Sequence, residues 1–187
     1  MVEPLRLNNQ FLIAMPSLED PNFSRSVTYI CQHNEEGAMG IVINQPLAIT
    51  LGEVLTDMEL SASQDSINDS AVFLGGPVQC DRGFVLHQPI GEWEATINIS
   101  EEIGLTASRS ILASIAEGTG PSHSMVALGY AGWGPGQLEE EMLANSWLSG
   151  PADSEILFNT PVEQRWQAAA TKAGVDITRL SAVPGHA

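Results

Sequence analysis

Long apolar runs, clustered cysteines and stretches of basic charge are all missing from this chain, and each absence removes a class of protein. A membrane-crossing helix needs about 20 consecutive apolar residues. Hydrophobic residues make up 43% of the chain but fall in short pieces. The opening Met-Val-Glu-Pro-Leu-Arg-Leu-Asn-Asn-Gln has no basic region, apolar segment or small-residue cleavage site, so no secretory signal is read there and a cytoplasmic location is expected. Cys31 and Cys80 are too few for a disulfide scaffold and belong to no metal-spaced pair. Cys31 alternates within a strand pattern and should be buried, whereas Cys80, beside Asp81 and Arg82, is the more reactive candidate. There is no Gly-x-Ser-x-Gly elbow and no His-Glu-x-x-His helix. No catalytic residue, metal or cofactor is therefore assigned.

Basic side chains are the scarcest charged type. Seven Lys and Arg stand against 23 Asp and Glu, for a formal net charge of −16. So large an excess repels nucleic-acid phosphates and anionic lipid surfaces. Arg6, Arg25, Arg82, Arg109, Arg165, Lys172 and Arg179 are scattered and form no run. Direct nucleic-acid or membrane binding is not expected, and a basic or neutral protein partner fits better. Oligomeric state is not legible from the sequence.

What is present is a dense alternation of short strands and turns. At 187 residues, with no linker-like stretch, a single domain spanning 1–187 is expected. Strands are read at Phe11–Met15, Ser26–His33, Met39–Asn44, Ala71–Gly75, Gly83–His87, Thr96–Ile99, Ser124–Tyr130 and Glu155–Phe158. Two hairpins are expected, one around Asn34-Glu-Glu-Gly37 and one around the turn-rich Gly75 to Arg82. Helices are read at Leu51–Met58, entered through the capping-box spacing Thr50-Leu-Gly-Glu53, and at Leu105–Glu117, stopped by Gly118. Two more are read at Gln137–Asn145 and from Thr160-Pro-Val-Glu163 to about Gly174. Ser61 to Ser70 reads as an exposed loop. Strands in hairpins with about four interspersed helices give an α+β class: a curled, largely antiparallel, β-barrel-like sheet flanked by helices.

The stretch Gly129-Tyr-Ala-Gly-Trp-Gly-Pro-Gly-Gln-Leu-Glu-Glu-Glu-Met-Leu is the most distinctive. The strand should stop near Ala131, with Pro135 in the first turn of the following helix. Free N–H groups after a glycine turn can receive an anion, although Glu139, Glu140 and Glu141 oppose one, so the stretch reads first as a tight corner and second as a ligand cradle. Successive helical residues point about 100° apart, so the three glutamates cannot converge on one metal ion and most should be solvated. Trp133 is either a lid over the core or an exposed anchor. His87 at a strand end and Arg82 in the turn before it are placed at one sheet edge. His33 and His123 are read as loop residues and His186 as part of the tail. The candidate ligand- or partner-binding set is Arg25, Arg82, His87, Gly132, Trp133 and Gln137.

The ordered runs Phe11-Leu-Ile-Ala-Met-Pro16, Phe23-Ser-Arg-Ser-Val27, His33-Asn-Glu-Glu-Gly-Ala-Met-Gly40, Asn44-Gln-Pro46, Gly75-Gly-Pro-Val78, Arg82-Gly-Phe-Val-Leu-His87, Gly129-Tyr-Ala-Gly-Trp133, Gly136-Gln-Leu-Glu139, Trp147-Leu148 and Gly185-His-Ala187 resemble the AlgH/YqgE proteins of bacteria over nearly the whole chain. Gln32 stands where an acid is common in that family, and Gln45 where an arginine is. The resemblance implies a flattened β-barrel-like sheet with surrounding helices. It also implies a family named after a proposed regulator of alginate biosynthesis genes, with no established reaction or agreed DNA-binding motif. Two expectations follow: a non-enzymatic regulatory or adaptor protein that influences transcription through a partner, or a small-ligand or nucleotide-binding protein using a cleft near Arg82, His87 and the Gly132-to-Gln137 turn. Direct DNA binding ranks behind both.

Overall fold

The computed structural model describes residues 5–180, so the tail motif Gly185-His-Ala187, with His186, lies outside the described residues. In chain order the strands are β1 (Gln10–Ala14), β2 (Val27–Asn34), β3 (Gly37–Val42), β4 (Pro46–Thr50), β5 (Ala71–Leu74), β6 (Val78–Gln88), β7 (Thr96–Asn98), β8 (Gly104–Thr106), β9 (His123–Trp133) and β10 (Trp147–Pro151). The helices are α1 (Leu51–Asp57), α2 (Asp65–Asn68), α3 (Arg109–Glu117), α4 (Gln137–Leu143), α5 (Ser154–Phe158), α6 (Arg165–Lys172) and α7 (Ile177–Leu180). The class is α+β, and among the described strand pairs only β5 with β9 runs parallel. The chain packs as two compact units: residues up to Asn44 together with those from Ala131 onward, and Gln45–Tyr130.

The first unit has the strand order β10-β1-β2-β3, with the last three residues of β9 pairing on β3. The expected hairpin of β2 and β3 forms, closing at Asn34 and Gly37. Gly37 sits at φ +132, and a Cβ there would collide with the Trp133 carbonyl oxygen, so both backbone angle and close approach require glycine. Leu12, Ile30, Ala131, Leu138, Trp133 and Trp147 form the core of this unit.

Four local expectations are corrected here. β9 continues past Ala131 to Trp133, because Trp133 pairs with Ala38 of β3. Pro135 stays outside α4, whose cap is Gly136 at φ 75. Glu155 to Phe158 lies in a helix, not a strand: Asp153 Oδ1 accepts the Glu155 N–H at 2.8 Å and starts α5. A four-residue apolar run cannot by itself distinguish buried strand from buried helix. Finally, Thr160 makes no capping box; its hydroxyl donates to the Glu155 carbonyl at 3.2 Å, and a 3-10 turn (Val162–Gln164) leads into α6. Trp147 opens β10 opposite Ala14 of β1.

The second unit has the order β4-β5-β9-β6-β8-β7. α1 starts with the expected capping box: Glu53 N–H donates to Thr50 Oγ1 at 3.4 Å, and Thr50 N–H to Glu53 Oε2 at 2.8 Å. Ser61 to Ser70 is not all loop, since it contains α2. The expected β5–β6 hairpin does not form. β9 lies between the two, parallel to β5 through Val72 and Val126 and antiparallel to β6 through Val85 and Val126. Buried Met125, Val126 and Ala127 make β9 apolar on both faces, which suits a central strand better than adjacency in sequence suits a hairpin. β6 also begins at Val78, so Arg82 is a strand residue and not part of a turn. Leu105 belongs to β8, and α3 starts only at Arg109, ending at Gly118 in the left-handed conformation as expected. Leu51, Leu55, Val72, Val85, Ile111, Leu112 and Val126 build this unit's core.

Candidate functional site

Within the second unit a cavity of about 390 Å³ opens between α1, β6, β9 and the start of α3. That volume lies in the range of small-molecule sites. Its apolar wall is made by Val54, Met58, Leu112, Val126 and Leu128, and its polar lining by Asp57, Asp81, Arg82, Ser108 and Arg109. The period of α3 turns Leu112 to the interior and leaves Arg109 exposed. The Arg82 guanidinium lies 5.3 Å from the centre of the Phe84 ring, with one hydrogen bond to Gln79 Oε1 at 3.4 Å. Arg109 donates to the Met58 carbonyl at 2.9 Å. Neither guanidinium enters an ion pair among the described residues.

His87, five positions along β6 from Arg82, is buried and does not line that cavity. Its Nδ1 lies 3.0 Å from the Pro89 carbonyl oxygen and its Nε2 2.6 Å from Thr106 Oγ1. A carbonyl only accepts, so Nδ1 carries the hydrogen, and in the neutral ring Nε2 accepts from Thr106. Thr96 donates to the Trp93 carbonyl at 2.7 Å, which leaves the 2.7 Å contact between the Thr96 and Thr106 hydroxyls without a hydrogen of its own. An imidazolium would supply one. Burial nevertheless holds the His87 pKa below its ordinary value, only partly opposed by the Pro89 carbonyl, and keeps the ring neutral.

In the first unit the glycine turn closes inward. Trp133 is only 6% exposed, so it is a lid and not a surface anchor. Its indole N–H donates to Glu141 Oε1 at 3.1 Å, and the Trp147 indole N–H donates to the same oxygen at 2.9 Å. Phe23 stacks on Trp133 at 6.1 Å and meets Trp147 edge-on at 5.5 Å. Gln137 takes the Gly134 N–H at 3.0 Å and donates to Glu141 Oε2 at 2.9 Å, occupying the turn's free donor with a side chain of its own helix.

His33 is a buried residue of β2, in keeping with the strand read at Ser26–His33 and against its reading as a loop residue: Nδ1 accepts the Leu7 N–H at 3.1 Å, and Nε2 donates to Glu139 Oε1 at 2.8 Å. That hydrogen bond is the main reason the Glu139 carboxyl sits below the usual carboxylate range. Most of the three glutamates were expected to be solvated, but Glu139 and Glu141 have fixed partners. Gly132 is exposed in β9, and Arg25, at φ 58, lays its guanidinium 5.4 Å from the Trp166 ring centre. Cys31 is buried, which pushes its thiol pKa up and keeps it unreactive, while Cys80 is exposed.

The candidate residues thus fall into two groups. Gly132, Trp133 and Gln137 share the turn of the first unit, to which Arg25 also belongs; Arg82 and His87 belong to the second unit, and of these only Arg82 reaches the cavity. Sequence reasoning missed Arg109, Ser108 and Glu141. Arg109 carried a usable signal, because Arg82 and Arg109 are the only Lys or Arg in residues 45–130.

A family model described as AlgH-like matches residues 11–178. A UPF0301 protein from Nitrosococcus oceani is 56% identical over 179 residues, covering 96% of each chain. Another from Thioalkalivibrio sulfidiphilus is 56% identical over 187 residues, covering 100% of each. The solution structure of the AlgH protein from Pseudomonas aeruginosa superposes with a TM-score of 0.80 at 46% identity, over 100% of this chain and 99% of that one. A crystal structure of a Corynebacterium diphtheriae protein gives a TM-score of 0.77 at 18% identity over 98% and 95%, a likeness of fold alone. No helix among the described residues is long and apolar enough to cross a membrane.

Proposed function

This chain belongs to the AlgH-like family, and from that premise we propose that it is a non-catalytic regulatory protein of the cytoplasm that binds a small ligand in the cavity of residues 45–130. The carrying observation is the cavity itself: about 390 Å³, an apolar wall, and a few polar groups at one side. Nothing lining it has the nucleophile-and-base pairing that catalysis by side chains would use. A thermal-shift screen of a small-molecule library tests the proposal, read together with NMR of the Met58 and Leu112 methyl groups. Ligands that stabilise the protein are expected to shift those methyls. A library without a single stabilising compound removes the reading.

A second reading, an adaptor that influences transcription through a protein partner, is favoured by the net charge of −16. It calls for a basic partner surface and a complex that weakens as salt rises. A pull-down at low ionic strength, repeated at high, is expected to retain and then release one stoichiometric partner. Salt-independent capture of many proteins, or of none, counts against it.

A further inference from the structure

We infer, building on the ligand-binding reading above, that the cavity takes an amphipathic monoanion: one carboxylate held by Arg82 and Arg109, with an apolar or aromatic body against Met58, Leu112 and Leu128. The argument starts from scarcity. Residues 45–130 contain two basic side chains, Arg82 and Arg109, and both line this one cavity. In so acidic a chain each has abundant possible partners, yet neither is ion-paired among the described residues. Two guanidinium groups outside any close ion pair, beside a single apolar wall, suit a carboxylate with a greasy body. The Arg82 guanidinium lies 5.3 Å from the Phe84 ring centre and bonds Gln79 Oε1 at 3.4 Å, so its other N–H groups remain for two parallel hydrogen bonds to a carboxylate at the cavity rim.

Asp57 and Asp81 set the upper limit on ligand charge. They line the same cavity, so the two arginines are matched in number by two carboxylates and the formal charge of the lining is zero. In a lining of zero formal charge a dianion such as a phosphate monoester gains as much repulsion from the aspartates as attraction from the arginines and has far more hydration to lose, whereas a single carboxylate needs less desolvation for the same paired hydrogen bonds. A cation gains the aspartates but meets both guanidinium groups. An uncharged body loses the paired hydrogen bonds and keeps only apolar contact.

The test compares three near-isosteric probes, naphthylacetate, naphthylacetamide and naphthylethylamine, by methyl NMR of Met58, Leu112, Val126 and Leu128 on the full chain. Naphthylacetate is expected to shift these methyls and to bind at least about tenfold more tightly than the other two, the margin of roughly one charge-assisted hydrogen bond. Arg82→Gln, an exposed substitution that leaves the fold intact, is expected to remove that margin without moving Tm; Arg109→Gln is expected to do the same with some loss of stability, since Arg109 also holds the Met58 carbonyl. Equal binding of the amide or the amine at the same methyls overturns the anionic class while leaving the cavity a ligand site. Methyls unmoved by all three probes also overturn the class, and the broader reading falls only if the library fails as well. An Arg82→Gln protein that binds naphthylacetate as before overturns the assigned head-group contact.

Discussion

In the first unit, polar groups close on one another: Glu141 holds two indoles, His33 holds Glu139, and buried Arg165 donates to the carbonyls of Ile43 and Thr160 at 2.6 and 2.9 Å. In Gln45–Tyr130 the two arginines stay exposed beside a cavity and unpaired by any acid. The first arrangement uses charge to fix geometry, and the second leaves charge available to something outside the chain. The most conspicuous sequence feature therefore marks architecture, and a quieter region carries the candidate chemistry.

Trp133→Ala tests this contrast with the largest expected effect. Removing a buried indole that packs on Phe23 and Trp147 should cost about 3–5 kcal/mol in chemical denaturation. A near-neutral result would break the contrast. Glu141→Ala comes next: two buried indole N–H groups lose their acceptor, at about 2 kcal/mol. Glu141→Gln should recover most of that, because an amide oxygen still accepts.

Acid sharpens the comparison further. The folded-state pKa of His87 lies below its ordinary 6.5, so the unfolded chain takes up the proton first and stability should fall as pH drops below about 6.5. His87→Gln should flatten that part of the pH profile. Glu139, held below its ordinary 4.5, contributes stability above that value and loses it as pH falls further, so the losses tied to His87 and to Glu139 should come in successive windows. The smallest effect is reserved for Arg82→Gln, whose stability should stay within about 0.5 kcal/mol of the parent. A large loss there would make Arg82 architectural and erase the difference between the units.

Local chemistry was readable in advance and convergence was not. The Thr50–Glu53 capping box, the Asn34–Gly37 hairpin and the stop at Gly118 are set by residues within a few positions of one another, and all three form. The insertion of β9 between β5 and β6 depends on residues some fifty positions apart, and no neighbouring turn signal encodes it. The same holds for Glu141, whose partners come from β9 and β10, and for His33, whose partner Glu139 lies 106 positions along the chain. Arg82 was singled out from sequence. Arg109 was not, because its meaning comes from the lack of any other base in its segment and from the packing of α3 beside α1.

The pairing of β1 with β10, Phe11 opposite Gly150 and Ala14 opposite Trp147, also has a consequence in time. A ribosome delivers β10 long after β1 and β2, so until Trp147–Pro151 emerge one flank of β1 presents open backbone groups flanked by buried-type Phe11, Leu12 and Ile13. Nascent chains stalled before Trp147 should thus be the species most dependent on chaperones.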